Sequence, residues 1–82
     1  PELVELDEVL ADAIANLKSD IDDAGATIER QGLPPLVVNR QQMLQVFQNL
    51  LTNALKFRSA RVPRIRVSAQ ETADSLRILV ED

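Results

Sequence analysis

Between Arg40 and Phe57 the chain places Met43, Phe47, Leu50, Leu51, Ala54 and Leu55 at spacings of three and four, the period of one helical face. That run predicts an amphipathic helix from about Arg40 to Phe57. Asn39 is its expected N-cap, because a side-chain oxygen there can accept a backbone N–H of the first turn. A helix with a single apolar stripe needs a second apolar surface to lie on.

The rest of the chain offers one helix and several strands. Leu6, Leu10, Ala13, Ile14, Leu17, Ile21 and Ala24 repeat with helical period, predicting a helix from about 8 to 23, capped by Asp7 and stopped by Gly25. Ala26 to Gln31 alternates around Ile28 and reads as a strand, closed by Gly32 and the Pro34-Pro35 pair. Ser59 to Pro63 is expected to be a loop. Arg64-Ile65-Arg66-Val67-Ser68-Ala69 alternates strictly, and Leu76-Arg77-Ile78-Leu79-Val80 is strand-like. The four residues Thr72 to Ser75 between them predict a hairpin, and a short opening strand is expected around Leu3 to Leu6. This order predicts an α/β fold, a two-layer sandwich with helices packed on one face of a mixed sheet. Residues 1–82 form a single unit in this reading, with no repeat and no internal linker.

Composition narrows the chemistry. The chain has 82 residues, 45% hydrophobic and 27% charged, which is globular composition. It contains no Cys and no His, which excludes disulfides, thiol chemistry, imidazole acid-base catalysis and the common zinc sites. A core this small usually needs supplementing, so self-association or a further segment is expected. No apolar run approaches the roughly 20 residues needed to cross a bilayer, and Pro1 to Glu5 lacks the basic start of a signal peptide. The expected setting is cytoplasmic, without membrane contact. The net charge of −4 argues against nucleic-acid binding. Lys56, Arg58, Arg61, Arg64 and Arg66 nevertheless cluster, while acidic residues crowd the first quarter. The cluster is either a solvated face or a functional basic patch.

Two amides on the strongest helix are the candidate site. On a wheel of about 100° per residue, Met43, Phe47, Leu50 and Ala54 lie at the centre of the apolar stripe. Asn49 and Asn53 lie one turn apart, with Lys56 close to Asn49, and are expected at the margin between core and solvent. An Asn carbonyl oxygen is a hard ligand suited to Mg²⁺. Being neutral, it does not repel nucleotide phosphates, and a nearby Lys adds positive charge. By spacing alone, the same residues also fit the ordinary polar face of an amphipathic helix.

The run Gln45-Val46-Phe47-Gln48-Asn49-Leu50-Leu51-Thr52-Asn53-Ala54-Leu55-Lys56-Phe57 resembles the N box of sensor histidine kinases in nearly every position. Leu33-Pro34-Pro35-Leu36-Val37-Val38-Asn39 resembles the segment preceding that box, although the family more often has Asp where Asn39 stands. The resemblance extends over essentially the whole chain and implies a Bergerat-type ATP-binding fold, shared with gyrase and MutL ATPases. By that resemblance Asn53 ligates Mg²⁺, Asn49 lines the phosphate site, Lys56 contacts phosphate and Phe57 is the aromatic that follows it. Phe57 also fits simple packing. Ile78-Leu79-Val80-Glu81-Asp82 resembles the strand that runs into the first glycine-rich box, where Asp82 would recognise the adenine amino group. Lys56 to Arg61 resembles the phytochrome-like branch of the family.

The sequence departs from the family after Asp82. The glycine-rich boxes, the ATP lid, the closing strands and the phosphate-receiving His with its dimerisation helices are not in these 82 residues. The expectation is therefore a front portion of a catalytic domain that alone neither holds ATP tightly nor autophosphorylates. Its parent would transfer the ATP γ-phosphate to a His on its own dimerisation domain and then serve a response regulator. The portion itself is expected to self-associate through an uncovered apolar face around Ile65, Val67, Ile78 and Val80. The rival reading is a small protein–protein interaction module without nucleotide. A serine kinase or gyrase-like ATPase is disfavoured, because those usually carry an acid where Asn49 stands.

Overall fold

A computed structural model describes residues 1–57 and 62–81. In chain order the elements are β1 (Glu2–Glu5), α1 (Leu6–Asn16), α2 (Lys18–Ala24), β2 (Thr27–Arg30), β3 (Pro35–Val38), α3 (Arg40–Lys56), β4 (Arg64–Glu71) and β5 (Leu76–Glu81). The fold is α/β, with helices covering one face of a mixed sheet, as the order of elements predicts.

The strands form two sheets. β4 lies in the middle of the larger one, parallel to β2 and antiparallel to β5. The β4–β5 hairpin closes over Thr72–Ser75, where the Thr72 N–H donates to the Ser75 carbonyl at 2.9 Å and the Ser75 N–H to the Thr72 hydroxyl at 3.1 Å. The second sheet is an antiparallel ribbon of β1 and β3, with Leu3 opposite Val37. β3 was not foreseen. Two prolines argued against a strand there, but Pro35 is its first residue and the ribbon pairs on one side only, where a missing N–H is tolerated. The opening strand also sits earlier than Leu3 to Leu6, because Leu6 already belongs to α1.

The first helix differs from expectation in three respects. It starts at Leu6, it breaks at Leu17 into α1 and α2, and Asp7 does not cap it. Glu5 occupies the cap position without a side-chain hydrogen bond, since β1 runs straight into the helix. The Asp7 carboxylate instead accepts the Leu33 backbone N–H at 2.9 Å. Gly25 ends α2 as expected, in the left-handed region with φ of 65°, where a β-carbon is disfavoured. Asn39 caps α3, accepting the Gln42 N–H at 3.0 Å.

The core lies between the helices and the larger sheet. Leu6, Val9, Leu10 and Ala13 of α1 meet Phe47 and Leu51 of α3 above Ile65 and Val67 of β4, all fully buried. Of the expected uncovered apolar face, Ile65 and Val67 are sealed, while Ile78 and Val80 stay half-buried. Both helices lie across that side of the pleat. An ion pair between Arg40 and Asp12 fastens the start of α3 to α1.

Candidate functional site

Packing on α1 decides how α3 is turned. Its buried positions are Phe47, Leu51 and Leu55, whereas Met43, Leu50 and Ala54 are only half-buried. The buried stripe is therefore rotated from the one read off the sequence. Leu51 lies midway between Asn49 and Asn53 in sequence, so each amide sits about 160° from it around the helix. Asn49, Asn53 and Lys56 are exposed and occupy the outward face of α3 rather than the margin of the core.

That face has a distinctive charge. The chain carries a net charge of −4, yet α3 holds no Asp and no Glu, and it has a cation near each end, Arg40 and Lys56. A strip of two neutral amides followed by an ammonium, on a helix without carboxylates, suits phosphate oxygens and a hard divalent cation. An amide oxygen fits Mg²⁺, which keeps most of its water shell and takes few protein ligands. The donor chemistry of Asn49, Asn53 and Lys56 therefore fits a magnesium nucleotide.

Phe57, the C-cap of α3, is 72% exposed, which corrects the packing reading of this residue. Its ring instead takes the Lys56 ammonium over its face, 5.2 Å from the centroid. Lys56 also borders an open groove of about 380 Å³ between α2 and α3, together with Asp20, Asp23, Ala24, Thr52 and Leu55. Asp20 and Asp23 were not singled out as site residues. A sequence signal did exist, because Asp23 lies in the last turn of α2, where a carboxylate opposes the helix dipole.

The basic cluster does not assemble as one patch among the described residues. Arg64 and Arg66 project from the face of β4 opposite to Ile65 and Val67, where Glu29 of β2 receives them at 3.0 and 3.7 Å. Lys56 belongs to the helical layer. Arg58, Arg61 and the adenine-reading candidate Asp82 lie outside the described residues.

The fold is an α/β sandwich whose helix α3 carries the exposed strip Asn49, Asn53 and Lys56. No protein-family model matches the chain. It is 37% identical over 81 residues to cyanobacterial phytochrome A of Nostoc sp., covering 99% of this chain and 11% of that protein. It is 36% identical over 78 residues to the phytochrome-like protein Cph1 of Synechocystis sp., covering 95% of this chain and 10% of that protein. The chain is thus homologous to a segment of phytochromes and spans about a tenth of the length of these relatives. Among the described residues, no helix is long and apolar enough to cross a membrane.

Proposed function

We propose that this chain is part of the ATP-binding domain of a phytochrome-like sensor histidine kinase, and that α3 is its magnesium- and phosphate-facing wall. The observation that carries the reading is the exposed strip Asn49, Asn53, Lys56 on a helix free of carboxylates. The N-box resemblance and the similarity to phytochromes over nearly the whole chain support it.

In this reading the Asn53 amide oxygen faces Mg²⁺, Asn49 lines the phosphate site and Lys56 neutralises phosphate charge. When bound, Mg²⁺ offsets the charge on the nucleotide's phosphate oxygens. Phe57 holds the Lys56 ammonium at the C-terminal end of α3, close to the phosphates. Asp82 completes the site by reading adenine. Such an arrangement positions and neutralises, which is most of what phosphoryl transfer asks of a protein. The acceptor His and the response regulator belong to the rest of the signalling system.

The test is isothermal titration of Mg-ADP into a polypeptide that carries residues 1–82 and continues past Asp82. Magnesium-dependent binding that Asn53→Ala weakens at least about tenfold, or about 1.4 kcal/mol, supports the proposal. A wild-type polypeptide that folds and binds no nucleotide overturns it and leaves an interaction module.

A further inference from the structure

The path of the chain gives the exposed strip of α3 a direction. Asp23 and Ala24 at the end of α2 share a groove with Leu55 and Lys56 at the end of α3. Just beyond Gly25, the Thr27 N–H donates to the Pro63 carbonyl at 3.0 Å, which sets the start of β2 beside the start of β4. β5 runs antiparallel to β4, so Glu81 lies opposite Arg66 at that same end of the sheet. The C-terminal ends of α3 and β5 therefore share one pole of the molecule. The start of α3 lies at the other, where Asn39 and Arg40 share a recess with Pro1 and Glu2.

In the proposed reading, on which this inference rests, Asp82 follows Glu81 and reads adenine, so the adenine end of the nucleotide belongs at the Lys56 pole. The magnesium position at Asn53 and the phosphate position at Asn49 then lie successively further toward the N-terminus of α3, about 4 and 10 Å from Lys56 along the axis at roughly 1.5 Å per residue. The terminal phosphate is directed on toward the preceding turn. That turn carries Gln45 and Val46, which flank the line of Asn49 at about 40° and 60° around the helix. Both are exposed, Val46 by 44%.

The chemistry of this turn suits a protein rather than a phosphate. The Gln45 side chain has no hydrogen-bond partner among the described residues, and its amide can donate and accept at once. An exposed valine offers nothing to a phosphate but gives a protein segment apolar area to cover. No carboxylate on α3 repels the phosphate chain that such a partner approaches. These 82 residues contain no His, so the phosphate acceptor of the proposed reading arrives on a separate segment. We infer that Gln45 and Val46 are the docking contact for that segment, holding the phosphate-accepting protein over the N-terminal half of α3 beside the terminal phosphate. The contact concerns docking alone, and neither side chain takes part in making or breaking bonds.

The intact kinase that contains residues 1–82 provides the test, with autophosphorylation rates at saturating Mg-ATP set beside Mg-ADP affinities from isothermal titration. Gln45→Ala combined with Val46→Ala should slow phosphorylation about tenfold at saturating nucleotide. Mg-ADP affinity should stay within about twofold of wild type, because no nucleotide contact is lost. Asn53→Ala, by contrast, should weaken Mg-ADP itself. Alanine is the best helix former and both positions are exposed, so circular dichroism melts should not change. A merely structural role would move melts, affinity and rate together. Transfer at the wild-type rate in the double variant, or a loss of Mg-ADP affinity that matches the loss of rate, overturns the inference. A wild type that folds and binds no nucleotide overturns the reading beneath it, and this inference with it.

Discussion

The Asp7 carboxylate accepts a hydrogen bond from the Leu33 backbone N–H at 2.9 Å, joining the first turn of α1 to the segment before β3 across 26 positions of sequence. The contact is partly buried, and Leu33 belongs to the core. Hydrogen bonds to a charged acceptor contribute about 1.5–3 kcal/mol. Asp7→Ala is expected to lower stability by about that amount in urea denaturation, while Asp7→Asn, which keeps an acceptor oxygen, should cost less. Equal losses for both variants would show that the bond to Leu33 is not what Asp7 contributes.

Phe47 and Phe57 are the chain's two aromatic residues and occupy opposite environments. Phe47→Ala empties the centre of the core and should cost about 3–5 kcal/mol, enough to unfold a small domain of ordinary stability. Phe57→Ala removes an exposed ring and should change stability by less than about 0.5 kcal/mol. Denaturant midpoints of the two variants provide the check.

Asn39 should repay its position at the start of α3. Asn39→Ala removes the acceptor for the Gln42 N–H and is expected to cost about 1 kcal/mol, whereas Asn39→Asp should be nearly neutral. Thermal melts followed by circular dichroism would separate the two.

Lys18 gives a pH signature at the alkaline end. The hydrogen bond that the Lys18 ammonium donates to the Asp22 carboxylate, and then the carboxylate's negative charge, raise Lys18 above its ordinary value of 10.5. A group whose value is raised by folding contributes fully below its unfolded value, and that contribution fades as pH climbs through the folded one. Stability should therefore decline above pH 10.5 through this pair, by a small amount because both side chains are exposed. Lys18→Gln should flatten that part of the curve, and an NMR titration of the Lys18 side chain should show the upward shift directly.

The strip on α3 should respond to substitution in affinity rather than in folding. Asn49, Asn53 and Lys56 are exposed, so alanine at each is expected to shift stability by less than about 1 kcal/mol. In the extended polypeptide, Lys56→Ala should weaken Mg-ADP and reduce the salt dependence of binding. Asn53→Ala should instead reduce the dependence on magnesium. A uniform loss without either signature would assign these residues a structural role.

Much of the local structure was legible because its causes lie within a few residues. Asn39 begins α3 through a bond to Gln42, Gly25 ends α2 by adopting a left-handed conformation, and the strict alternation from Arg64 fixes which side of β4 is buried. The helix that presents Asn49, Asn53 and Lys56 is local in the same sense, since 3.6 residues per turn suffice to align them.

Long-range packing decided the rest. β3 exists because Pro35–Val38 find Glu2–Glu5 as a partner, and no pattern within four residues announces that pairing. Asp7 turns from a cap into a long-range acceptor because β1 delivers the chain directly into α1 beside Leu33. The rotation of α3 belongs to this class as well. Its sequence offers a broad apolar arc from Leu50 round to Leu55, and contact with Leu6, Val9 and Leu10 of α1 selects Phe47, Leu51 and Leu55 as the buried line. The sequence determined that two asparagines and a lysine share one side of a helix. Tertiary packing decided that this side faces away from the core, because a helix turns its best-fitting apolar line toward its neighbour and leaves the opposite face to solvent.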